Sequence, residues 1–422
     1  MPSRIMPLLQ QKTVKNGIWL YVLQFCNTVV PLLTLPYITR VLGATGYGVF
    51  IIALNIWGYL QVVVEYGFAL SATRQVALEE DEPLDTSRLF SSIIYSRLLL
   101  TAVCVVISGV YVFLNRSNAE QCICLAILMV GLLGSCFQLN WLFQGKQDMK
   151  YISLIGIVSR TISVICIFCF VKSEQDLFLY SVLYVISPIV DGVLGVIIAS
   201  KKYGVRLIRV SFETIKDALK NGWYVFTTQI SGKIFGAIGI TFMGLFATEA
   251  EVGIYGAIQK VPNVILLIWL PISQVLYPVA SQKFQESFAD GKKYVYGLRK
   301  RILPLFVVGS LLVAGFAKVI VLILFGETYV ANYYWMIPLL VWLLFGINNN
   351  FLGIQTLLAS GHDKEYSRCF QIGVFCTVLF NFLLIIAFKG NGAAIAPALS
   401  EFVLTIMLSR EIKKLEKNKE LL

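Results

Sequence analysis

Residues 223–247 read WYVFTTQISGKIFGAIGITFMGLFA, and among these 25 residues only Lys233 carries a charge. A helix of about 20 apolar residues crosses the hydrocarbon core of a bilayer. The stretch therefore reads as a membrane span with a cation about ten residues in, near mid-depth from either side. Gln229, Lys233 and Gly236 recur at i, i+4 and i+7, which places them on one helical face. Gly232, Gly236 and Gly239 give the same helix a natural hinge. An ionisable side chain at that depth is costly and marks a pathway unless it can snorkel to the interface.

The rest of the chain repeats this grammar. Of its 422 residues, 57% are hydrophobic and 14% charged, whereas soluble domains run about 45–50% apolar and about 25% charged. An ordinary cytosolic enzyme is excluded. Apolar runs fall at about 17–39, 46–68, 90–114, 119–143, 152–171, 177–200, 223–247, 254–281, 301–325, 334–360, 369–388 and 391–410. No stretch has the dyad alternation of a membrane barrel. The expected fold is an all-α integral membrane protein with twelve transmembrane helices. The run starting near Gly17 is too long for a signal-peptide core and reads as a retained span.

The charge of +11 might suggest nucleic acid, but its distribution reads as topology. With an even number of spans both termini share a side, and the segments on that side hold 26 Lys and Arg residues. The opposite loops hold only Arg40, Arg116, Lys172 and Lys389. The positive-inside rule then puts both termini in the cytoplasm. Every external connection is short, so no soluble domain fits. The connection 201–222, with Phe212, Ile215 and Leu219 at helical spacing, is expected to lie along the membrane face. The nine cysteines all lie in apolar runs and read as small apolar side chains; with the single His362 in a polar loop, there is no material for a metal site.

The two halves resemble each other. Asn16-Gly17-Ile18-Trp19 with Gln24 matches Asn221-Gly222-Trp223 with Gln229, and Gly46-Tyr47-Gly48 matches Gly253-Ile254-Tyr255-Gly256. Gly145 to Tyr151 is a weaker match for Gly361 to Tyr366. Six spans separate each pair, so the repeats are parallel. This predicts two six-helix lobes, 1–210 and 211–422, related by a pseudo-two-fold along the membrane normal with a cavity between them.

Polar residues inside the spans populate that cavity. Gln24, Asn27, Pro31 and Thr34 stripe the first span; Lys260, Asn263, Pro271 and Gln274 stripe the eighth; Asn348, Asn349 and Asn350 sit mid-way along the tenth. Either a hydrated cavity or hydrogen bonding between helices accounts for the amides. Arg160 faces the cavity or pairs with Asp191, Arg97 is placed to snorkel, and Lys318 is interfacial. Asp191, Glu65 and Glu401 are candidate proton or cation sites or structural partners. Pro31, Pro36, Pro262, Pro271 and Pro338 are expected to break or bend helices where these residues cluster.

Several stretches resemble the Wzx-type O-antigen transporters, the polysaccharide branch of the multidrug/oligosaccharidyl-lipid/polysaccharide flippases. They are Pro31 to Gly43 (PLLTLPYITRVLG) followed by Gly46-Tyr47-Gly48, Tyr66 to Arg74 with Val76-Ala77, Trp141 to Gly145 running into Met149-Lys150-Tyr151, and Pro271 to Ser281. The resemblance implies a multi-pass protein of the bacterial inner membrane. Such a protein moves an undecaprenyl-diphosphate-linked oligosaccharide between leaflets by alternating access, without enzymatic chemistry or a cofactor, and is expected to couple to H⁺ or Na⁺. It implies the lipid-linked oligosaccharide, membrane lipids and polysaccharide assembly proteins as partners, and no nucleic acid. The family's lumen is cationic, and Arg40, Arg160, Lys233 and Lys260 are the positions here that could supply this. Gln and Asn would bind sugar hydroxyls.

A drug or cation antiporter of the same superfamily is the nearest alternative. Leaving out residues at span ends, such as Arg301 and Arg410, which are counted with the adjoining segments, the spans hold five basic residues against three acidic ones, which favours an anionic cargo. A membrane-embedded glycosyltransferase or polymerase would display acidic residues on long external loops, which are absent here. A purely structural membrane protein leaves mid-span Lys233 without a reason.

Overall fold

A computed structural model describes residues 19, 33–78 and 83–420. Among the described residues the chain is helical throughout its ordered elements, with no strand. Nine helices among the described residues are long and apolar enough to cross a membrane, or ten if a pair bent by 68° at Phe316 counts as one span. The protein is thus a multi-pass membrane protein. Its outer surface is apolar, as a lipid-facing surface must be: Val106, Phe113, Leu114, Leu305 and Leu311 are all more than 60% exposed. The described residues form two compact units that divide between Ile234 and Phe235.

The first unit contains α1 (Gly43–Glu65), α2 (Phe68–Leu78), α3 (Pro83–Leu114), α4 (Ala119–Cys136), α5 (Asn140–Gly145), α6 (Met149–Phe170), α7 (Leu177–Tyr203) and the first part of α8 (Phe212–Phe246). α1 ends where Tyr66 and Gly67 turn left-handed, with φ of 45° and 76°. Gly67 is required there twice over, because a Cβ would also fall 2.6 Å from Val225. The centre of the unit is the close approach of α4 to α7. A Cβ on Gly134 would lie 2.8 Å from the Ile189 backbone, and one on Gly192 would lie 2.6 Å from the Gly134 carbonyl. Small residues let backbones pack where lipid supplies no hydrophobic drive between helices.

Three expectations change here. Within the connection 201–222, residues 204–211 form no helix, and the amphipathic part is no separate surface helix: α8 runs unbroken for 35 residues, about 52 Å at 1.5 Å per residue, so its polar first turns continue the span beyond the hydrocarbon. The helix also passes through Gly232, Gly236 and Gly239 without a break. Arg97 does not snorkel. It is 3% exposed, and its Nη1 donates to the carbonyls of Gln138 (2.7 Å), Cys136 (3.2 Å) and Ser135 (3.5 Å). These are orphan acceptors at the end of α4, where a cation also meets the negative end of the helix dipole.

The second unit contains the rest of α8, α9 (Glu249–Ile258), α10 (Lys260–Glu286), α11 (Phe288–Gly315), α12 (Ala317–Phe325), α13 (Met336–Leu352), a π-helical turn (Gly353–Leu358) and α14 (Asp363–Glu420). Pro338 falls in the first turn of α13, where the missing N–H breaks no bond, whereas Pro262 stands three residues after Gln259, where α9 gives way to α10 as expected. α14 is two helices joined at Lys389, whose φ of 51° and ψ of −126° are non-helical. A Cβ on Gly392 would collide with the Leu384 carbonyl, although a straight helix would hold the two about 12 Å apart. The chain therefore reverses at Lys389. The last core cluster joins Leu352, Leu357, Cys369, Leu404 and Leu408 around the π turn. The two segments of the weaker sequence match share a local turn. Gln147 (φ 54°) and Gly361 (φ 79°) each turn left-handed two residues before a helix starts, at Met149 and Asp363.

Candidate functional site

In the first unit, α8 brings Lys233 onto α1. Its Nζ stands 5.5 Å from the centre of the Tyr59 ring and fills the space a Gly58 side chain would take, 2.5 Å from a Cβ built there. A cation over an aromatic face is stabilised by about 0.5–2 kcal/mol, so Tyr59 holds the ammonium in place. Farther along the unit, α7 carries Tyr180 and Tyr184 four residues apart, packed on Phe50 and, for Tyr184, on Trp57 of α1. These aromatic residues escaped sequence reasoning. Their four-residue spacing was the available signal.

Arg160 on α6 lies within electrostatic reach of Tyr184 and Asp191, while its Nη1 donates to the Gly156 carbonyl at 2.8 Å. Asp191 accepts from Ser159 Oγ at 2.5 Å and from Gln138 Nε2 at 3.4 Å. Ser187 adds a hydroxyl contact to Ser159 at 3.4 Å. The first unit thus carries Lys233, Arg160, an aromatic wall and a hydroxyl-bound carboxylate. Glu65, at the end of α1, accepts from Gln61 at 2.9 Å and feels the charge of Arg97.

The second unit gathers amides rather than cations. Asn349 Nδ2 donates to Glu401 Oε2 at 2.6 Å and to the Glu401 carbonyl at 2.8 Å, and Thr405 Oγ1 donates to Asn349 Oδ1 at 2.6 Å. Glu401 is 7% exposed. Asn350 accepts from Ser273 Oγ at 2.8 Å, and Gln355 of the π turn donates to the Ser273 carbonyl at 2.9 Å. The polar run 348–350 therefore serves contacts between α13, α10 and α14. Gln355 Oε1, Asn348 Oδ1 and Asn381 Oδ1 are buried acceptors with no partner among the described residues. Asn381 lines a cavity of about 50 Å³ with Gly239, Tyr255, Gln259 and Thr377, a polar space of the size that holds ordered water.

The other expected residues are dispersed. Arg40 is exposed just before α1, and Lys260 is exposed at the start of α10. Asn263 is half-buried one turn further on, and Gln229 Oε1 is buried without a protein partner. Gln24 and Asn27 lie outside the described residues, as does most of the first apolar run.

Comparison with known proteins agrees with this architecture. The chain is 26% identical over 398 residues to a protein of Escherichia coli (strain K12) called "Putative O-antigen transporter", covering 93% of this chain and 95% of that one. It is 24% identical over 332 residues to the capsular polysaccharide biosynthesis protein CapF of Staphylococcus aureus, covering 73% of this chain and 78% of that one. Its fold is similar to that of the lipid II flippase MurJ in an inward closed conformation, with a TM-score of 0.77 at 12% identity, covering 94% of this chain and 87% of that one. An inward-facing multidrug resistance transporter of the MATE family gives a TM-score of 0.66 at 14% identity, covering 92% and 99%. The family model described as "Polysaccharide biosynthesis protein" matches residues 13–284, more than half of the sequence, and the chain therefore belongs to the polysaccharide biosynthesis protein family.

Proposed function

We propose that this protein is a flippase for a lipid-linked oligosaccharide. Its cargo is carried on undecaprenyl diphosphate and crosses from the inner to the outer leaflet of the bacterial inner membrane by alternating access. Both termini are cytoplasmic, in keeping with the 26 basic residues on their side. Counting α14 as a hairpin and adding the apolar run 17–39 brings the span count to twelve, arranged as two six-helix lobes.

The observation that carries the reading is the Lys233–Tyr59 pair, a cation at membrane depth presented on an aromatic face. A diphosphate crossing about 30 Å of hydrocarbon needs its hydration and counterions replaced, and Lys233 with Arg160 offers that replacement. The aromatic rings of the first unit suit sugar faces. No bond in the cargo is made or broken.

The coupling group we assign is Glu401. Of the three carboxylates within the spans, Glu65 has Arg97 within reach and Asp191 has Arg160. Glu401 has an amide and, among the described residues, no basic group within the same electrostatic reach. A buried carboxylate without a countercharge must bind a proton or a cation, and this makes it the exchangeable member. The test is flipping of a polyprenyl-diphosphate oligosaccharide in proteoliposomes. Transport that needs the protein and fails on a monophosphate or uncharged analogue supports the reading. Equal transport of the uncharged analogue overturns it.

A further inference from the structure

The first unit carries an apolar groove on its outer face that the transport reading does not use. It runs between α4 and α7 over a volume of about 490 Å³, walled by Leu133, Phe137, Val193 and Val196. Its floor is the glycine contact of Gly134 with Gly192, where absent side chains leave the depression. Leu133 and Val193 are 47% and 53% exposed, so the groove is open along its length.

The groove continues into a second hollow of about 330 Å³ that shares Phe137 and Val196 and ends at Ser200 and Arg206. This end is built. Residues 205–210 form no helix, and Ser87 and Ser91 of α3 pin them: the Arg206 N–H donates to Ser87 Oγ at 3.2 Å, and the Ile208 N–H to Ser91 Oγ at 2.8 Å. Val205, 3% exposed, anchors the segment. Residues 200–210 contain Lys201, Lys202, Arg206 and Arg209 and no acidic residue, and Lys202 is taken by an ion pair with Asp148.

Depth identifies the occupant. Residues 189–197 of α7 lie about 9–21 Å from the helix end at Tyr203, at 1.5 Å per residue, which is one leaflet of a core about 30 Å thick. A groove one leaflet deep, dry along its length and cationic at its mouth, fits one amphiphile: an acyl chain with an anionic head. Basic pockets between transmembrane helices bind such headgroups. We propose that this groove is a specific site for an anionic phospholipid of the leaflet at the basic end of α7, with the chain on Gly134 and Gly192 and the phosphate at Arg206. The proposal needs only that the chain spans a membrane, and it stands or falls apart from the cargo proposed above.

The test is native mass spectrometry of the full-length protein released from micelles. The micelles hold equimolar dioleoyl-phosphatidylglycerol and dioleoyl-phosphatidylcholine. Preferential retention of phosphatidylglycerol is expected. Arg206→Gln should cut that retention about tenfold, the size of one charge-assisted hydrogen bond, while leaving phosphatidylcholine unchanged. Val193→Trp, which fills the groove, should reduce retention of both lipids, whereas Leu114→Trp, on a lipid-facing position outside the groove, should change neither. Equal retention of the two lipids by the wild type, or wild-type behaviour of Arg206→Gln or Val193→Trp, overturns the site. Displacement of phosphatidylglycerol by equimolar undecaprenyl phosphate overturns the choice of occupant.

Discussion

Replacing Lys233 by Gln removes a positive charge at membrane depth while keeping a hydrogen-bonding side chain only one atom shorter. If the ammonium meets the cargo diphosphate, the loss is that of a hydrogen bond to a charged group, about 1.5–3 kcal/mol. That corresponds to a roughly 10- to 150-fold fall in transport at subsaturating cargo. The structure supplies a subtler partner to this mutation. In Gly58→Ala the new Cβ would lie 2.5 Å from Lys233 Nζ, and the mobile end of the lysine, rather than α1, gives way. The charge is kept but displaced from Tyr59, so flipping should fall several-fold with melting temperature unchanged. The assay is protection of a fluorescent polyprenyl-diphosphate oligosaccharide from an external lectin in proteoliposomes, with protein amount normalised. Wild-type flipping by Lys233→Gln refutes the assignment. Equal loss of transport for an uncharged lipid analogue refutes it as well, because the role would then not be electrostatic.

Arg97→Met should destabilise the protein by about 1–3 kcal/mol, since it leaves the buried carbonyls at the end of α4 without their donor and removes the charge that Glu65 feels. Thermal unfolding in detergent of Arg97→Met/Glu65→Gln should show a smaller loss than the two single changes combined, and strict additivity would show the pair to be uncoupled. Glu401→Gln keeps a partner for Asn349 and should leave a folded transporter whose flipping no longer responds to an imposed proton or Na⁺ gradient; a retained response moves coupling elsewhere. Gly192→Val forces a side chain onto the Gly134 carbonyl and should cost about 1–3 kcal/mol or more through overpacking, read as a lower melting temperature and less protein in the membrane.

How far the molecule was legible in its sequence depends on how local each signal is. Span positions follow from hydropathy over about 20 residues, and α1, α4, α6, α7 and α13 lie close to where apolar runs put them. Breaks were misjudged because prolines and glycines mark where a helix is allowed to bend, not where packing makes it do so. The chain turns at Tyr66–Gly67, Phe316 and Lys389 and widens its winding in the π turn at 353–358, while the three glycines of α8 leave that helix intact. Arg97 was misread for a related reason. Seven residues from a helix end, it has an evident route to water, yet its acceptors lie 38 to 41 residues away in sequence and outbid the interface.

The three carboxylates within the spans make the point sharpest. By composition and depth Glu65, Asp191 and Glu401 are interchangeable, and nothing periodic separates them. Their chemistry is decided by what stands opposite: a guanidinium beside the first, a serine hydroxyl and a guanidinium near the second, an asparagine 52 residues away in sequence for the third. A compensated carboxylate can stay charged through a transport cycle and hold helices together. An uncompensated one in a low-dielectric setting has to take up and release a counterion as its surroundings change, so the group that is poorest as structural glue is the best suited to couple a gradient to movement.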